Sequence, residues 1–257
     1  IRAANLDSGP RTVHGVEIAA GEIETIAGTG VSGYEASDTN ALETEFSHPW
    51  GLAYDADGNL YVAEQGNHII RRIDSSGTVT LIAGTGGTAG STDGDGNPLN
   101  ALLNSPQGID FREGTLYIAD TRSHTVRVID ISSGSISTIA GTPGQSGLSG
   151  DGRPGTEALL DSPQDVACGV YGAVYISTLR TVRALTPDGR IARWAGITDG
   201  TAGADTPLCL NMAGGGLAVS AVSDLYMADN TIAGIACIPF LTESSYIIKQ
   251  AGLYQGA

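Results

Sequence analysis

Lysine is nearly absent. Lys249 is the single one, the other 12 basic residues are arginines, and 28 acidic residues set the net charge at −15. Such a surface repels phosphate backbones and anionic lipid heads, because nucleic-acid affinity comes largely from neutralising phosphates with cations. Nucleic-acid binding is thereby set aside as a function class. No apolar run approaches 18 residues, so no helix is long enough to span a bilayer, and direct membrane insertion is not expected. Cysteine is scarce too: Cys168, Cys209 and Cys237 form no CxxC and no metal-ligand spacing. They read either as three small buried residues or as one disulfide, such as Cys209–Cys237, with a spare thiol. Aromatics are 5% and charged residues 16%, yet hydrophobics at 41% exclude a disordered chain. No Asn-x-Ser/Thr acceptor occurs, which leaves only O-linked sugar open on the Ser- and Thr-rich loops.

Glycine is abundant instead, at 37 of 257 residues, and it falls in a repeat. An Ala-Gly pair closes an apolar run at Gly28, Gly84, Gly141, Gly196 and Gly252, with spacings of 56, 57, 55 and 56. Proline keeps step at Pro49, Pro106 and Pro163, and so does a strand tyrosine at Tyr61, Tyr117, Tyr175 and Tyr226. Each period holds four strand-like runs, as in Trp50–Asp55, Leu60–Glu64, Ile69–Asp74 and Thr78–Ala83. Gly, Asp, Asn and Ser fill the gaps between them. A Gly-rich loop of roughly 20 residues then leads to the next proline. Four short antiparallel strands per repeat make one propeller blade, which has two apolar faces and must stack on neighbours.

Two segments carry a family likeness. Leu60-Tyr-Val-Ala-Glu-Gln-Gly-Asn-His-Ile-Ile-Arg-Arg-Ile-Asp74 and Leu116-Tyr-Ile-Ala-Asp-Thr-Arg-Ser-His-Thr-Val-Arg-Val-Ile-Asp130 resemble the NHL repeat. The loop Ser149-Gly-Asp-Gly-Arg-Pro154 with Ala158-Leu-Leu-Asp-Ser-Pro163 resembles the long-loop variety of secreted bacterial proteins and teneurins. The likeness decays at Tyr175–Arg183 and Tyr226–Ala236, which lack the histidine. It implies an all-β, NHL-type β-propeller and no single function.

The repeat divides the chain into the outer half of a blade with a hairpin insertion (1–28), four blades (29–84, 85–141, 142–196 and 197–252) and a tail (253–257). Ile1-Arg2 aligns with the third strand Ile70-Arg71, and Thr12–Ile18 is inserted before the first Ala-Gly pair. Both ends supply outer strands, so strand bookkeeping predicts an incomplete ring and a piece of a longer polypeptide, an open ring being the alternative. No leader is visible, which is read as a processed or trimmed N-terminus.

The chemistry is sparse. The first strands of the blades should line the channel, through Gly51-Leu-Ala53, Gly108-Ile-Asp110, Asp165-Val-Ala167 and Gly216-Leu-Ala218. They offer Asp110 and Asp165 but no histidine, whereas propeller lyases of NHL type use channel histidines and sugar lactonases a channel metal. His68 and His124 hold the same repeat position, which reads as hydrogen bonding within the blade. Asp55–Asn59, Asp93–Asn97 and Asp151-Gly152 read as hairpin turns, with weak surface calcium as the minor alternative. Arg71, Arg72, Arg127 and Arg183 lie on third strands near Glu64, Asp74, Asp120 and Asp130, as cross-strand ion pairs would. No nucleophile elbow is present.

These readings name no catalytic, metal or cofactor residue. They lead to a non-catalytic extracellular or cell-surface module for protein contact or self-assembly, with loops 29–46, 85–104 and 142–161 as the recognition surface. A filament or surface appendage is one form of it. A metal-dependent channel enzyme, lyase or lactonase-like, is the alternative.

Overall fold

The computed structural model describes residues 1–34, 39–169, 171–179, 181–196, 216–220, 225–229 and 234–238. Local chemistry sets each hairpin. At the first tight turn the Asp55 carboxylate accepts the backbone N–H groups of Asp57 and Asn59 at 3.0 and 2.8 Å, and the Asn59 amide at 2.7 Å. Gly58 supplies the left-handed φ of +83° that reverses the chain. Asp130 does the same work for Ser132 and Ser133 at the outer turn of the next repeat.

Strands β1 (Arg2–Ala4), β2 (Arg11–Val13), β3 (Val16–Ile18) and β4 (Ile23–Thr25) open the chain. β1 pairs with β4 as a half-blade, and β2 with β3 as a separate hairpin. β5 (Thr39–Asn40), β6 (Pro49–Tyr54), β7 (Leu60–Glu64), β8 (Ile69–Ile73) and β9 (Thr78–Ala83) follow. They form one antiparallel sheet in the order β5-β9-β8-β7-β6, so the short β5 adds a fifth, outermost strand to the first blade. The second blade is β10 (Pro106–Arg112), β11 (Thr115–Asp120), β12 (Thr125–Asp130) and β13 (Ser135–Ala140). The third is β14 (Asp165–Cys168), β15 (Val174–Ser177), β16 (Thr181–Leu185) and β17 (Ile191–Gly196). Of the fourth, β18 (Leu217–Val219), β19 (Leu225–Asp229) and β20 (Gly234–Ile238) are described. The architecture is an all-β propeller whose described sheets do not close into a ring.

Blades bury both faces against one another. Ala53, Tyr61, Ala63 and Ile70 of the first meet Ile109, Leu116 and Ile118 of the second. Ala119 and Val126 meet Val166 and Ile176 in the next interface. The half-blade and hairpin put Ile18, Ile26 and Ala27 against Leu60, Val62 and Ile73. Each fully buried Leu or Ile contributes roughly 1.5–3 kcal/mol, so most of the stability is shared between blades rather than held within one.

The long loops fold back into these interfaces. Ala41 and Phe46, Ala101 and Leu103, and Ala158 and Leu160 are buried in the three clusters. Their apolar residues are therefore part of the core. Other side chains of the loops are exposed, among them Val31, Leu42 and Leu99.

Candidate functional site

The first strands β6, β10, β14 and β18 converge on a cavity of about 410 Å³. Gly51, Gly108, Asp110, Asp165, Ala167 and Ala218 all lie on its wall, at the channel positions expected from the repeat. Glycine is required there by close approach. A Cβ on Gly108 would lie 2.5 Å from Asp165 Cα, and one on Gly51 would meet Ile109 N at 2.9 Å.

The two carboxylates of the channel are both occupied. Asp110 accepts Phe111 N at 2.8 Å through one oxygen and Cys168 N, on the next blade, at 2.7 Å through the other. Asp165 accepts Val166 N at 2.9 Å and Leu217 N, again on the next blade, at 2.7 Å. Gly108 N donates to Gln164 O at 2.8 Å. These bonds stitch successive inner strands together.

Burial raises Asp165 to about 6, against the lowering effect of its two backbone donors, and the Asp110 charge raises it further. Burial, then Asp110, pushes the Cys168 thiol far up, so it remains a thiol and not a nucleophilic thiolate. Cys209 and the side chain of Cys237 lie outside the described residues.

A pH dependence follows from Asp165. Its folded pKa exceeds the ordinary 3.8, so the folded state holds the proton more tightly than the unfolded one. The stabilisation is complete below pH 3.8 and is lost as pH rises through about 6. Thermal melts of the parent and Asp165→Asn across this window should show the parent losing stability with rising pH relative to the variant. Parallel profiles would contradict the assignment.

The histidines act between blades. His68 Nδ1 accepts Ser105 N at 2.9 Å, and His124 Nδ1 accepts Ser162 N at 3.1 Å. Each serine stands just before the first strand of the following blade, so the expectation of bonding within one blade is corrected to a clasp across two. Ser105 and Ser162 have φ of +54° and +50°, and His48, in the same register before Pro49, has +48°. His14 serves the hairpin. Its Nδ1 donates to Asp74 O at 2.6 Å, and its Nε2 accepts the Tyr54 hydroxyl at 2.9 Å.

The arginines depart most from a surface reading. Arg71, Arg127 and Arg183 are 1%, 0% and 1% exposed. A register shift lies immediately before each, at Ile70/Arg71, Val126/Arg127 and Val182/Arg183. A bulge re-aims the following side chain, here into the blade.

Arg71 Nε lies 3.1 Å from the buried Glu64, which also accepts Ser47 N at 2.9 Å and the Asn67 amide at 2.8 Å. Arg127 lies 3.4 Å from the buried Asp120, which accepts Asn104 N at 2.7 Å. Loop residue Asp93 pairs with the same arginine. Asp151 pairs with Arg183 at 2.7 Å and with Arg193 at 3.3 Å. The Asp93 and Asp151 loops thus serve ion pairs, and the Asp55 carboxylate is spent on its own turn. Asp74 and Asp130 hold turns instead of arginines.

The third blade breaks the pattern. Thr178 stands in the place of Glu64 and Asp120 and bonds Thr181 O at 3.0 Å, while Ser177, in the register of Ala63 and Ala119, has a buried hydroxyl with no hydrogen-bond partner. Ser177→Ala should therefore stay within about 1 kcal/mol of the parent in urea denaturation, because no bond is lost. A cost of several kcal/mol would reveal a partner for this hydroxyl.

Comparison with known proteins places these features. The NHL repeat family profile matches residues 46–73. Human NHL repeat-containing protein 2 is 29% identical over 167 residues, which is 61% of this chain and 22% of that protein. The chain thus spans about a fifth of that relative's length. Among solved structures, an auxiliary nutrient binding protein from Bacteroides ovatus superposes with a TM-score of 0.56 at 16% identity, over 79% of this chain and 54% of that one. A streptogramin B lyase gives 0.52 at 14% identity, over 80% and 55%. At these identities the structural likeness is one of fold. The repeat spacing, the blade geometry and the sequence matches agree: the chain is a β-propeller similar to NHL-repeat proteins, with the NHL repeat itself matched at residues 46–73.

Proposed function

We propose that this chain is a non-catalytic propeller module, extracellular or at a cell surface, that serves as a protein-contact or structural scaffold within a larger protein or assembly. The observation that carries the reading is the state of the channel. Both of its carboxylates spend their oxygens on backbone N–H groups of the same and the next blade. Every one of the four oxygens thus takes a bond that holds inner strands together, which gives both carboxylates a structural role. His14, His68 and His124 are likewise engaged in clasps and hairpin contacts.

The acidic surface suits a cationic partner, since complementary potentials steer association. Exposed residues of the loops 29–46, 85–104 and 142–161 are its candidate contacts. The resemblance of the Ser149–Pro163 loop to those of secreted long-loop propellers supports the extracellular location. A filament or surface appendage is the concrete form of assembly.

Electron microscopy of native material, joined to metal analysis of the same particles, tests the reading. Ordered filaments or a large multidomain particle are expected. Isolated discs of roughly 5 nm, the size of a compact chain this long, with one channel metal per disc would overturn it in favour of a channel enzyme.

A further inference from the structure

Successive blades are not packed alike near the turns that join their first and second strands. Between the first and second blades, large side chains fill the space. Phe111 of β10 stacks on Tyr61 of β7, with ring centroids 5.4 Å apart and planes nearly parallel at 7°. Arg72 stands opposite Tyr61 in the ladder, and its charge reaches the Tyr61 hydroxyl. Ile131, just beyond β12, packs against the same cluster. The Tyr61 hydroxyl is engaged as well, since it donates to Asp55 at 3.1 Å.

The strand registers give the counterparts of these side chains between the second and third blades. Tyr117 takes the place of Tyr61. Cys168, opposite Val174 as Phe111 is opposite Leu116, takes the place of the ring, and its thiol lies against Asp110. Val128, opposite Tyr117, replaces Arg72. Pro187 follows Leu185 as Ile131 follows Ile129, and replaces it.

A cavity of about 440 Å³ results, walled by Tyr117, Val128, Val174, Leu185 and Pro187 among others. It shares no wall residue with the channel. Among the described residues no ring lies on Tyr117 and its hydroxyl has no hydrogen-bond partner, Arg112 standing where the first blade has Asp55. No charged side chain lines the cavity, and its polar side chains all carry hydroxyls, those of Tyr117 and of threonines such as Thr115 and Thr156.

We propose that this cavity between blades binds an uncharged aromatic molecule bearing a hydroxyl group. Its ring stacks on Tyr117 as Phe111 stacks on Tyr61, and its hydroxyl meets the hydroxyls of the wall. The volume and the largely apolar wall with a few polar groups are those of a small-molecule site. A charged ligand would lose its hydration without gaining a counter-charge. A flat ring gains a contact on tyrosine that a saturated ring of the same size does not.

NMR titration of the 257-residue chain with 2-naphthol tests this, and saturable binding is expected. Tyr117→Leu should weaken it roughly ten-fold, the worth of a stacked aromatic pair. Val128→Arg, which restores the side chain of the first interface, should abolish binding while the melting temperature is held. The parent supplies a further measurement that needs no variant: 2-decalol, the saturated counterpart, should bind several-fold more weakly than 2-naphthol. Three results would each overturn the proposal: no saturable binding, equal binding of the two compounds, or binding that survives Val128→Arg in a folded protein.

Discussion

Arg127→Ala is expected to destabilise the fold by about 3–5 kcal/mol, the range for breaking a buried ion pair by removing one partner. Arg127 and Asp120 are both 0% exposed, and Asp120 is pinned by Asn104 N, so the carboxylate cannot turn to water. Burial already raises Asp120 to about 7 despite its hydrogen bonds and the arginine charge. Without the guanidinium the acid must take up a proton or stay charged in an apolar surround. Arg183→Ala is the internal control. Its acidic partner Asp151 is 39% exposed and returns to solvent, and Thr178, in the place of Asp120, carries no charge. The third-blade substitution should therefore cost clearly less. Urea denaturation of both variants decides the matter, and equal costs would sink the explanation.

Gly108→Ala should destabilise the fold by about 3 kcal/mol or more, the upper range for overpacking. The new methyl would meet Asp165 Oδ1 and its Cα, the latter at 2.5 Å. Backbone cannot yield there without parting β10 from β14 and breaking the Gly108–Gln164 bond. Gly58→Ala is the comparison, at a turn with φ of +83° and open space around the added atom. It pays only the left-handed backbone penalty of about 1 kcal/mol. Thermal melts should separate the two by many degrees. A Gly108→Ala protein that melts like the Gly58 variant would mean that the inner strands are more loosely joined than the geometry shows.

The repeat made the blades legible. Three markers at a common period placed the four strands of each of the first three repeats, and the first strand of each repeat placed the channel wall. Function was less legible because it rests on depth, which periodicity does not carry. The three arginines recur every 56 residues, which marks a shared role. Only the bulge before each one turns it inward, and a bulge leaves no signature in residue type. The acids Asp93 and Asp151 sit in Gly-rich turns that look alike whether they face water or a buried guanidinium. The histidine clasp was half legible. The common position of His68 and His124 was plain, but its partner lies 37 or 38 residues away on another sheet. Nothing local announces such a bond.

The clasps have a mechanical consequence. Successive blades are joined by a few bonds near the axis and by apolar contact, with no strand shared between neighbouring sheets among the described residues. A load pulling along the chain would reach these joints in series, one after another. Each blade that gives way would release about 56 residues, a contour of roughly 20 nm at about 3.5 Å per residue. The third blade, with Thr178 in place of the buried acid, is the weak link in that series. A stretched array would lengthen in even steps, and the first step would come from there.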